Sequence, residues 1–344
     1  MSKESLYNKK NKIQLLKQLK EEKFSRITVS FYKYTPLYNL NKIRNTLYKK
    51  WRSFNILGRV YLATEGINAQ ISIPKGNFEK FKHYINTYNN FKNLVYKLAI
   101  QEGVSFLKLT IKIKDEIVAY KISKNEYDME NVGKHLNYLE FNQAIDDGAT
   151  IIDMRNYYEG EIGKFENAII PSVDRSQELL PEIKKLLVNH KKKKILMYCT
   201  GGIRCEKASA YLRHHGFTDV NQLQGGIIKY VNDIKGNKVK SKFIGKNFVF
   251  DHRLSEKITN DILSKCHICN SPCDIHVNCL NQACHILFIQ CFACAKKYQE
   301  CCSKKCSDFI QLPRDKQKKL FKTGKIKFNA QKSNKIKPRL YELE

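Results

Sequence analysis

Strands and helices alternate in the pattern of apolar and polar residues along the first third of the chain. β-Branched and aromatic residues predict strands, and apolar residues at helical spacing predict helices. The predicted strands are 27–34, 58–63, 67–73, 104–113 and 117–120, and the predicted helices are 40–51 and 78–88. The order β-α-β-β-α-β predicts a ferredoxin-like α+β sandwich over residues 25–120, a fold that does not by itself determine function.

The pattern changes after a polar linker at 121–131. Between residues 131 and 236, short continuous apolar runs alternate with helical segments, and the runs are 151–152, 168–170, 195–198 and Val220. Continuous runs are typical of a parallel sheet that is covered on both faces. Ligands of such sheets lie at the carboxyl ends of the strands. Asp153 and Cys199, which stand at the ends of two runs, are therefore candidate site residues.

Three other segments lack this periodicity. Residues 1–24 predict a basic helical extension, 246–311 a cysteine-rich region that is a candidate for metal binding, and 312–344 a basic tail with eleven Lys and Arg against three acidic residues. Aromatic residues in the tail would allow it to stack on nucleic-acid bases, and they are Phe321, Phe328 and Tyr341. A solvated tail without specific contacts is the alternative interpretation.

Length and composition limit the class of protein. A chain of 344 residues that is 42% hydrophobic has room for two or three domains. No apolar run approaches the length of a membrane span, and the Lys-rich N-terminus lacks the apolar core of a secretory signal. We therefore expect a cytoplasmic protein whose twelve cysteines are thiols, metal ligands or catalysts rather than disulfides.

The formal net charge of +29 is extreme for a chain of this size. It favours a polyanionic partner, for which RNA or DNA is the natural candidate. Lys, Asn and Ile are abundant, however, and an A/T-rich genome would enrich all three without any role in binding. Charge alone leaves both interpretations open.

The loop that begins at Cys199 reads Cys-Thr-Gly-Gly-Ile-Arg-Cys and ends at Cys205. Its two glycines let the backbone turn N–H groups inward, and the helix predicted over about 205–215 directs its positive end at the sulfur. Both effects favour the thiolate, which is the nucleophile. An inert core cysteine is the alternative, but a core strand does not need Thr-Gly-Gly. Arg204 adds a positive charge that can hold an anionic group, and for Cys205 we favour packing over a role as a resolving thiol.

Two further groups of residues are informative when they are considered together with this loop. Asp153-Met154-Arg155, followed by Glu159, and the pair Gly225-Gly226 resemble motifs of rhodanese domains, as does the Cys199 loop itself. The resemblance implies that Asp153 and Arg155 fix the loop through ion pairs and hydrogen bonds rather than transfer protons. It also implies that the backbone of the glycine pair approaches the wall of the active site closely.

Longer runs narrow the resemblance to one bacterial family. The runs are 31–34, 63–68, 153–156, 197–207 and 243–251, together with the cysteine block. Over roughly residues 25–310 the chain resembles the oxygen-dependent tRNA uridine-34 hydroxylases. This implies hydroxylation of C5 of the wobble uridine to 5-hydroxyuridine, with Cys199 as catalytic cysteine, molecular oxygen as co-substrate and the tRNA anticodon loop as partner. One departure is Gly163-Lys164, where the family usually has Gly-His.

A thiol can take part in oxygen chemistry as a nucleophile. We hypothesise that Cys199, as thiolate or persulfide, adds to C6 of the uracil ring and makes C5 electron-rich toward oxygen. Arg204 and the backbone N–H groups of the supporting loop residues would stabilise the developing anion. Those residues are Thr200, Gly201, Gly202 and Ile203.

Ten of the twelve cysteines fall between residues 266 and 306. Two Cys-x2-Cys pairs predict a structural zinc site made by Cys266, Cys269, Cys291 and Cys294. Candidates for a second site are Cys273, Cys279, Cys284, Cys301, Cys302 and Cys306, with His267, His276 and His285 as alternates. Free buried thiols and an iron–sulfur cluster stay open as alternatives, because spacing does not settle the identity of ligands.

Two other classes of function fit parts of the sequence. A sulfurtransferase would carry a persulfide on Cys199, but it has no need of the N-terminal sandwich or the cysteine-rich region. A non-catalytic RNA-binding or zinc-scaffold protein would need the basic tail and would leave the Cys199 loop without a purpose. The hydroxylase is therefore our main hypothesis, and the sulfurtransferase is its alternative.

Overall fold

The computed structural model describes residues 6, 8, 10–323, 326–328 and 330. Within the predicted basic extension it contains the helix α1 (Lys12–Lys20). The Asn11 side chain accepts the Gln14 N–H, and the Gln14 side chain accepts the Asn11 N–H. These reciprocal hydrogen bonds satisfy two backbone N–H groups that have no partner within the first turn of a helix. They stabilise α1 locally, which matters because this helix buries none of its residues.

The N-terminal sandwich is a five-stranded sheet with two helices packed against it. Its strands are β1 (Arg26–Tyr34), β2 (Leu57–Ala63), β3 (Gly66–Pro74), β4 (Lys97–Leu98) and β5 (Leu109–Ile113), and its helices are α2 (Leu40–Ser53) and α3 (Phe78–Asn86). The sheet order is β4-β1-β3-β2-β5, and β3 runs antiparallel to both β1 and β2. Trp51 and Phe81 join the two helices edge to face, with ring centroids 5.3 Å apart. The predicted α+β sandwich is confirmed.

The last part of the sandwich differs from the prediction. The strand beside β1 is the two-residue β4, which no pattern indicates, and β5 lies at the opposite edge, parallel to β2. Residues 117–120 form no strand. Instead, the Ile117 N–H donates to the Glu65 carboxylate at 2.8 Å, and Tyr120 packs into the core of the next unit. The apolar residues that suggest a strand therefore belong to a connection between two cores.

A parallel sheet forms the central unit. The elements of this unit are β6 (Lys134–Leu136), α4 (Tyr138–Asp146), β7 (Thr150–Asp153), α5 (Tyr157–Gly160), β8 (Gly163–Phe165), α6 (Ser176–Leu186), β9 (Ile195–Tyr198), α7 (Ile203–His214), β10 (Val220–Leu223) and α8 (Gly226–Asn237). The sheet order is β6-β10-β9-β7 with every pair parallel. Ile195 and Met197 of β9 pack into one core, and Leu196 and Tyr198 into another. Both faces are therefore covered, which confirms the parallel sheet predicted from continuous apolar runs.

The remaining part of the chain is built from short elements. They are β11 (Phe243–Phe248), β12 (Ser255–Lys257), β13 (His276–Asn278), β14 (Leu287–Ile289), α9 (Phe292–Lys297), α10 (Lys304–Ile310) and α11 (Arg314–Lys322). β11 pairs antiparallel with β8 and with β12, so this part continues directly from the central unit. β13 and β14 form an antiparallel hairpin. None of the helices in the described chain combines the length and the apolar character needed to cross a membrane.

The predicted basic tail is described only in part. Phe328 is buried against Phe309, with ring centroids 4.8 Å apart. It belongs to the C-terminal core and is therefore not available to stack on nucleic-acid bases. Tyr341 and the side chain of Phe321 lie outside the described part of the protein.

Candidate active site

The Cys199 loop joins the end of β9 to the start of α7. Gly202 has φ of 93°, and its N–H donates to the Cys199 sulfur at 3.1 Å. The N–H groups of Ile227 and Ile228 hold the loop from behind, donating to the carbonyl oxygens of Cys199 and Thr200 at 3.0 and 3.1 Å. The backbone therefore curls around the sulfur, as the glycine content of the loop predicts.

Gly226 permits this close approach of α8. A Cβ at this position would lie 2.5 Å from the Cys199 carbonyl oxygen and 2.7 Å from the Gly202 nitrogen. Its φ is also 68°, which side chains other than that of glycine rarely adopt. The glycine pair thus does what the rhodanese resemblance implies.

Several groups determine the charge of Cys199. Burial raises the pKa of this thiol, but a hydrogen bond from Cys205, the charge of Arg204 and backbone N–H groups of residues 204 and 205 lower the pKa to about 6. Burial and the neighbouring Cys199 sulfur raise the pKa of Cys205 well above its usual value. At neutral pH Cys199 is therefore a thiolate. Cys205 packs in the core, as expected, and also donates to that thiolate.

Arg204 faces Glu159 with both of its terminal nitrogens. Nη1 and Nη2 donate to the two carboxylate oxygens at 2.6 and 2.9 Å, and Nη2 also donates to the Thr200 hydroxyl at 3.2 Å. Glu159 is fully buried on α5 and accepts the Asn156 N–H at 3.0 Å. Because Glu159 occupies the guanidinium fork, Arg204 acts on Cys199 through its charge rather than as the free anion clamp that the sequence suggests.

Asp153 and Arg155 form a buried ion pair beneath the loop. Arg155 donates through Nε and Nη2 to the two carboxylate oxygens at 2.9 and 2.7 Å, and through Nη2 to the Gly163 carbonyl oxygen at 2.7 Å. Asp153 also accepts the Tyr198 hydroxyl at 2.7 Å. The network ties β7 to β8 and β9. Neither member of the pair lines the cavity beside the loop, so their placement fits a supporting role.

A cavity of about 330 Å³ lies between the Cys199 loop and the N-terminal sandwich. This volume is near the lower end of the range for small-molecule sites, about 300–1,000 Å³, and suits a nucleobase. Cys199 is one of the residues around this cavity and is itself fully buried, so a ligand in the cavity lies next to the loop that holds the sulfur. The lining comes from three parts of the chain and includes Tyr32, Asn68, Lys97, Cys199, Thr200, Gly201, Ile203, Arg204, Phe250 and Arg253.

Lys97 is a buried cation in the wall of this cavity. The residue is 6% exposed, and its Nζ lies 4.2 Å from the centre of the Tyr32 ring. Burial lowers the pKa of Lys97 to about 8, although the negative charges of Cys199 and Glu206 oppose that change. At neutral pH the ammonium form still dominates, so the positive charge of Lys97 stabilises negative charge on Cys199.

Polar contacts fasten the sandwich to α7. Lys207 is buried, and its ammonium group donates to the carboxylates of Glu65 and Glu116 at 2.8 and 3.0 Å. The Tyr32 hydroxyl donates to the Glu206 carboxylate at 2.8 Å. Both sets of contacts reach the helix that begins at the Cys199 loop, so the sandwich and the central unit build one site.

Tyr32 and Lys97 are site residues that sequence reasoning misses. Tyr32 lies in the run 31–34, one of those that carry the family resemblance, and that run is the signal that could have identified it. Lys97 gives no signal, because it is one of 62 Lys and Arg residues and becomes distinctive only when folding buries it.

The cysteine-rich region brings eight thiols together in two sets. The first cysteine cluster is the predicted one and consists of Cys266, Cys269, Cys291 and Cys294. The second cysteine cluster consists of Cys279, Cys284, Cys302 and Cys306. Within each cluster the sulfur atoms lie within 4.8 Å of one another. As far as the chain is described, neither cluster includes the other candidates, which are Cys273, Cys301, His267, His276 and His285.

Known families match most of the chain. The sequence models of the UPF0176 acylphosphatase like domain, the rhodanese-like domain and the rhodanase C-terminal region match residues 26–117, 138–233 and 244–307. The tRNA uridine(34) hydroxylase of Leptospira interrogans is 49% identical over 344 residues, which cover 99% of this chain and 94% of that protein. The chain belongs to the tRNA uridine(34) hydroxylase family. Another member, from Enterobacter sp. strain 638, is 44% identical and is covered over 91% of each chain.

Membership of the tRNA uridine(34) hydroxylase family confirms the resemblance drawn from the sequence runs. The matched rhodanese-like region contains the Cys199 loop, and the acylphosphatase-like region contains the strands that close the cavity. Among solved structures, the Alr3790 protein of Anabaena sp. is 21% identical, with a TM-score of 0.26, and covers 32% of this chain and 91% of that chain. A rhodanese-like domain protein of Staphylococcus aureus is 23% identical, with a TM-score of 0.24, over 28% of this chain and 90% of that one.

Proposed function

We propose that this protein hydroxylates C5 of the wobble uridine of tRNA, giving 5-hydroxyuridine, with molecular oxygen as co-substrate. One observation carries the proposal: a cysteine with a lowered pKa borders a cavity of nucleobase size. The relatives named tRNA uridine(34) hydroxylase support it over nearly the whole chain. The sandwich that closes the cavity also favours a hydroxylase over a sulfur carrier, whose thiol must be open to larger partners.

Cys199 acts as the nucleophile. Its thiolate adds to C6 of the uracil ring, and the electron pair of the C5–C6 double bond moves toward C5 and the oxygen at C4. C5 then takes one oxygen atom from molecular oxygen and loses its proton, and the bond between sulfur and C6 breaks to restore the double bond. The other oxygen atom leaves as water, which takes two protons and two electrons from an external reductant.

The neighbours of Cys199 stabilise negative charge during these steps. The Gly202 N–H faces the sulfur, Arg204 contributes a fixed positive charge, and the Lys97 ammonium group stands in the cavity wall. Preorganised groups of this kind act strongly in a site from which water is excluded. Asp153 and Arg155 hold the loop from below and take no part in the proton transfers.

The anticodon loop of tRNA is the partner in this proposal. Its bases are already single-stranded, so one base can turn into a protein cavity at low cost. The net charge of +29 supplies affinity for phosphates without reading sequence. A tRNA substrate and the absence of disulfides among all twelve cysteines fit a cytoplasmic location.

Nucleoside mass spectrometry of tRNA tests this function. A strain that lacks the gene and grows in air should lack 5-hydroxyuridine and its derivatives, and the unaltered protein should restore them. Cys199→Ser should not restore them, because a serine hydroxyl does not ionise near neutral pH. Cys273→Ser is the matched control and should restore them, since Cys273 lies outside the active-site loop and both cysteine clusters.

Two results would contradict the proposal. Full restoration by Cys199→Ser would exclude the nucleophilic role of the sulfur. Loss of thiouridines rather than 5-hydroxyuridine in the deletion strain would favour the alternative, in which Cys199 carries a persulfide for sulfur transfer.

We also propose that the first cysteine cluster binds a structural zinc ion. Its four sulfur atoms converge as the two Cys-x2-Cys pairs predict, and four thiolates satisfy the tetrahedral coordination that zinc prefers. Short elements form only a small hydrophobic core, and such an ion would supply part of the stability that a larger core would give.

A further inference from the structure

The second cysteine cluster has the donor set of another metal site. Cys279, Cys284, Cys302 and Cys306 are all buried, and their sulfur atoms lie within 4.8 Å of one another. None of them is disulfide bonded. The sequence leaves six cysteines and three histidines open for a second site, and the fold selects these four.

The distances between sulfur atoms match a single ion at the centre of each cluster. Zn–S bonds of about 2.3 Å in a tetrahedron place the sulfur atoms about 3.8 Å apart. The sulfur of Cys302 lies 3.8 Å from that of Cys284 and 3.7 Å from that of Cys306, and those of Cys269 and Cys291 are 3.6 Å apart. A four-iron cluster separates its thiolates much further, because each thiolate binds a different iron.

The backbone around the second cluster is arranged to hold these thiolates. Cys279 directly follows β13, and Cys284 lies in the turn that leads to β14. Cys302 and Cys306 stand on either side of the start of α10, where the Ser303 side chain caps the Cys306 N–H at 3.3 Å. The Cys302 N–H donates to the Cys279 sulfur at 3.4 Å, a contact that stabilises and orients a thiolate ligand.

The two clusters alternate along the chain. Ligand pairs occur in the order 266/269, 279/284, 291/294 and 302/306; the first and third pairs form the first cluster, and the second and fourth form the second. An ion in either cluster therefore closes a loop that contains one pair of the other. An ion bound in one cluster reduces the conformational freedom of the unfolded chain around the other cluster. Metal binding in each cluster is therefore coupled to folding and to metal binding in the other.

We propose that residues 266–306 bind two Zn²⁺ ions, one in each cysteine cluster, in this interleaved arrangement. Four protein ligands fill the coordination of each ion, so both sites are structural. Lysines flank the ligands and offset the negative charge of the two tetrathiolate sites; they are Lys265, Lys296, Lys297, Lys304 and Lys305. The inference extends the zinc proposed for the first cluster and does not depend on the hydroxylase activity.

The first cluster is linked to the active site through a shared apolar core. Cys266 and Cys294 share a core with Tyr158. Tyr158 adjoins Glu159, which holds Arg204. Because the two clusters are interleaved, loss of either ion should loosen the packing behind Glu159 as well as the cysteine-rich region itself.

The metal content of the purified full-length protein tests the proposal. Native mass spectrometry and elemental analysis should find two zinc ions per chain without stoichiometric iron, and X-ray absorption should find four sulfur neighbours at about 2.3 Å. One zinc ion per chain, stoichiometric iron, or nitrogen and oxygen neighbours would overturn it. These measurements use the unaltered chain, and they count metal without reference to tRNA, so failure of the proposed activity would leave them unchanged.

Substitutions then test which cysteines are ligands. Cys302→Ala should lower the zinc content to one ion or none, whereas Cys301→Ala, one residue away and also buried, should keep two ions. Circular dichroism of both variants would report whether they fold. Retention of two ions by Cys302→Ala, or loss of an ion from a folded Cys301→Ala protein, would overturn the second site.

Discussion

At the scale of single residues, the active site keeps one sulfur ionised although it is buried. Burial alone favours the thiol, and the Cys205 thiol, the Arg204 charge and the inward N–H groups together reverse that preference. Arg204 keeps its place because Glu159 holds both of its terminal nitrogens. The site therefore has a positive charge at a fixed position.

The reactivity of Cys199 should follow its lowered pKa. Its rate of alkylation by iodoacetamide should rise with a midpoint near pH 6 and be nearly constant above pH 7, because only the thiolate reacts. Cys205→Ala should move the midpoint to higher pH, since it removes a hydrogen-bond donor to the thiolate. Mass spectrometry can follow Cys199 separately, because trypsin cleaves after Arg204 and places the two cysteines on different peptides.

Cys205→Ser is the matched control for this measurement. Its hydroxyl can still donate to the sulfur, so the midpoint should stay closer to that of the unaltered protein than the midpoint of Cys205→Ala does. Identical pH profiles for all three proteins would show that Cys205 only packs in the core.

Residues that are adjacent in the chain could be predicted as a site, and distant ones could not. The Cys199 loop contains its nucleophile, glycines and cation within seven positions, so its chemistry can be predicted from the sequence. Lys97 reaches the same cavity from a different sheet. Its role depends on burial and on the Tyr32 ring beneath it, and neither is visible in the order of residues.

At the scale of elements, the position of the loop depends on how closely α8 approaches it. The first turn of α8 donates two hydrogen bonds to the loop backbone. Glycine is the residue that allows this contact, because a side chain at Gly226 would overlap backbone atoms of the loop.

Gly226→Ala should therefore disrupt the site. We expect it to lower the free energy of unfolding by at least about 1 kcal/mol, owing to a φ of 68° and a Cβ in contact with the loop, and to abolish restoration of 5-hydroxyuridine. Gly236→Ala lies in the same helix, where a Cβ would meet no atom within 4 Å, and it should be neutral or slightly stabilising. Urea unfolding compares the two variants, and equal stabilities would contradict this account of the contact.

Helices and strands could be predicted where the apolar pattern of the sequence matches the burial of the same residues in the folded protein. The apolar run of β9 predicts a strand covered on both faces, and alternate residues of β9 do pack into two cores. The two-residue β4 is too short to leave a pattern, and its pairing with β1 depends on the fold around it. Residues 117–120 look like a strand because they are apolar, yet Val118 and Tyr120 pack into the core of the central unit.

At the scale of the whole molecule, the sandwich and the central unit depend on each other. We propose residues 25–120, 131–236 and 246–311 as folding units, and charged groups join the first two. Lys207 lies between the Glu65 and Glu116 carboxylates, with its own side chain fully buried. Removing one charge from such a buried set leaves the remaining charges without an opposite charge nearby.

Lys207→Met should lower the free energy of unfolding by about 3 kcal/mol, because it leaves two carboxylates facing each other at the junction. The partly exposed pair of Lys229 and Asp233 on α8 provides the control. Lys229→Met should cost less than about 1 kcal/mol, as is usual for a partly exposed pair. Urea unfolding monitored by circular dichroism measures both, and a loss for Lys207→Met no larger than that for Lys229→Met would contradict the proposed coupling.

The cavity wall is shared between sheets that belong to different parts of the chain. A change in the length of the segment that joins them would alter the volume offered to a base without replacing any reacting group. Relatives of this protein could in that way acquire preferences for larger or smaller nucleosides through spacing alone. A rhodanese domain that gained such a second domain over its active site would enclose a thiol that was previously open to solvent. Its function would then change from that of a sulfur carrier to that of a catalyst that modifies nucleosides.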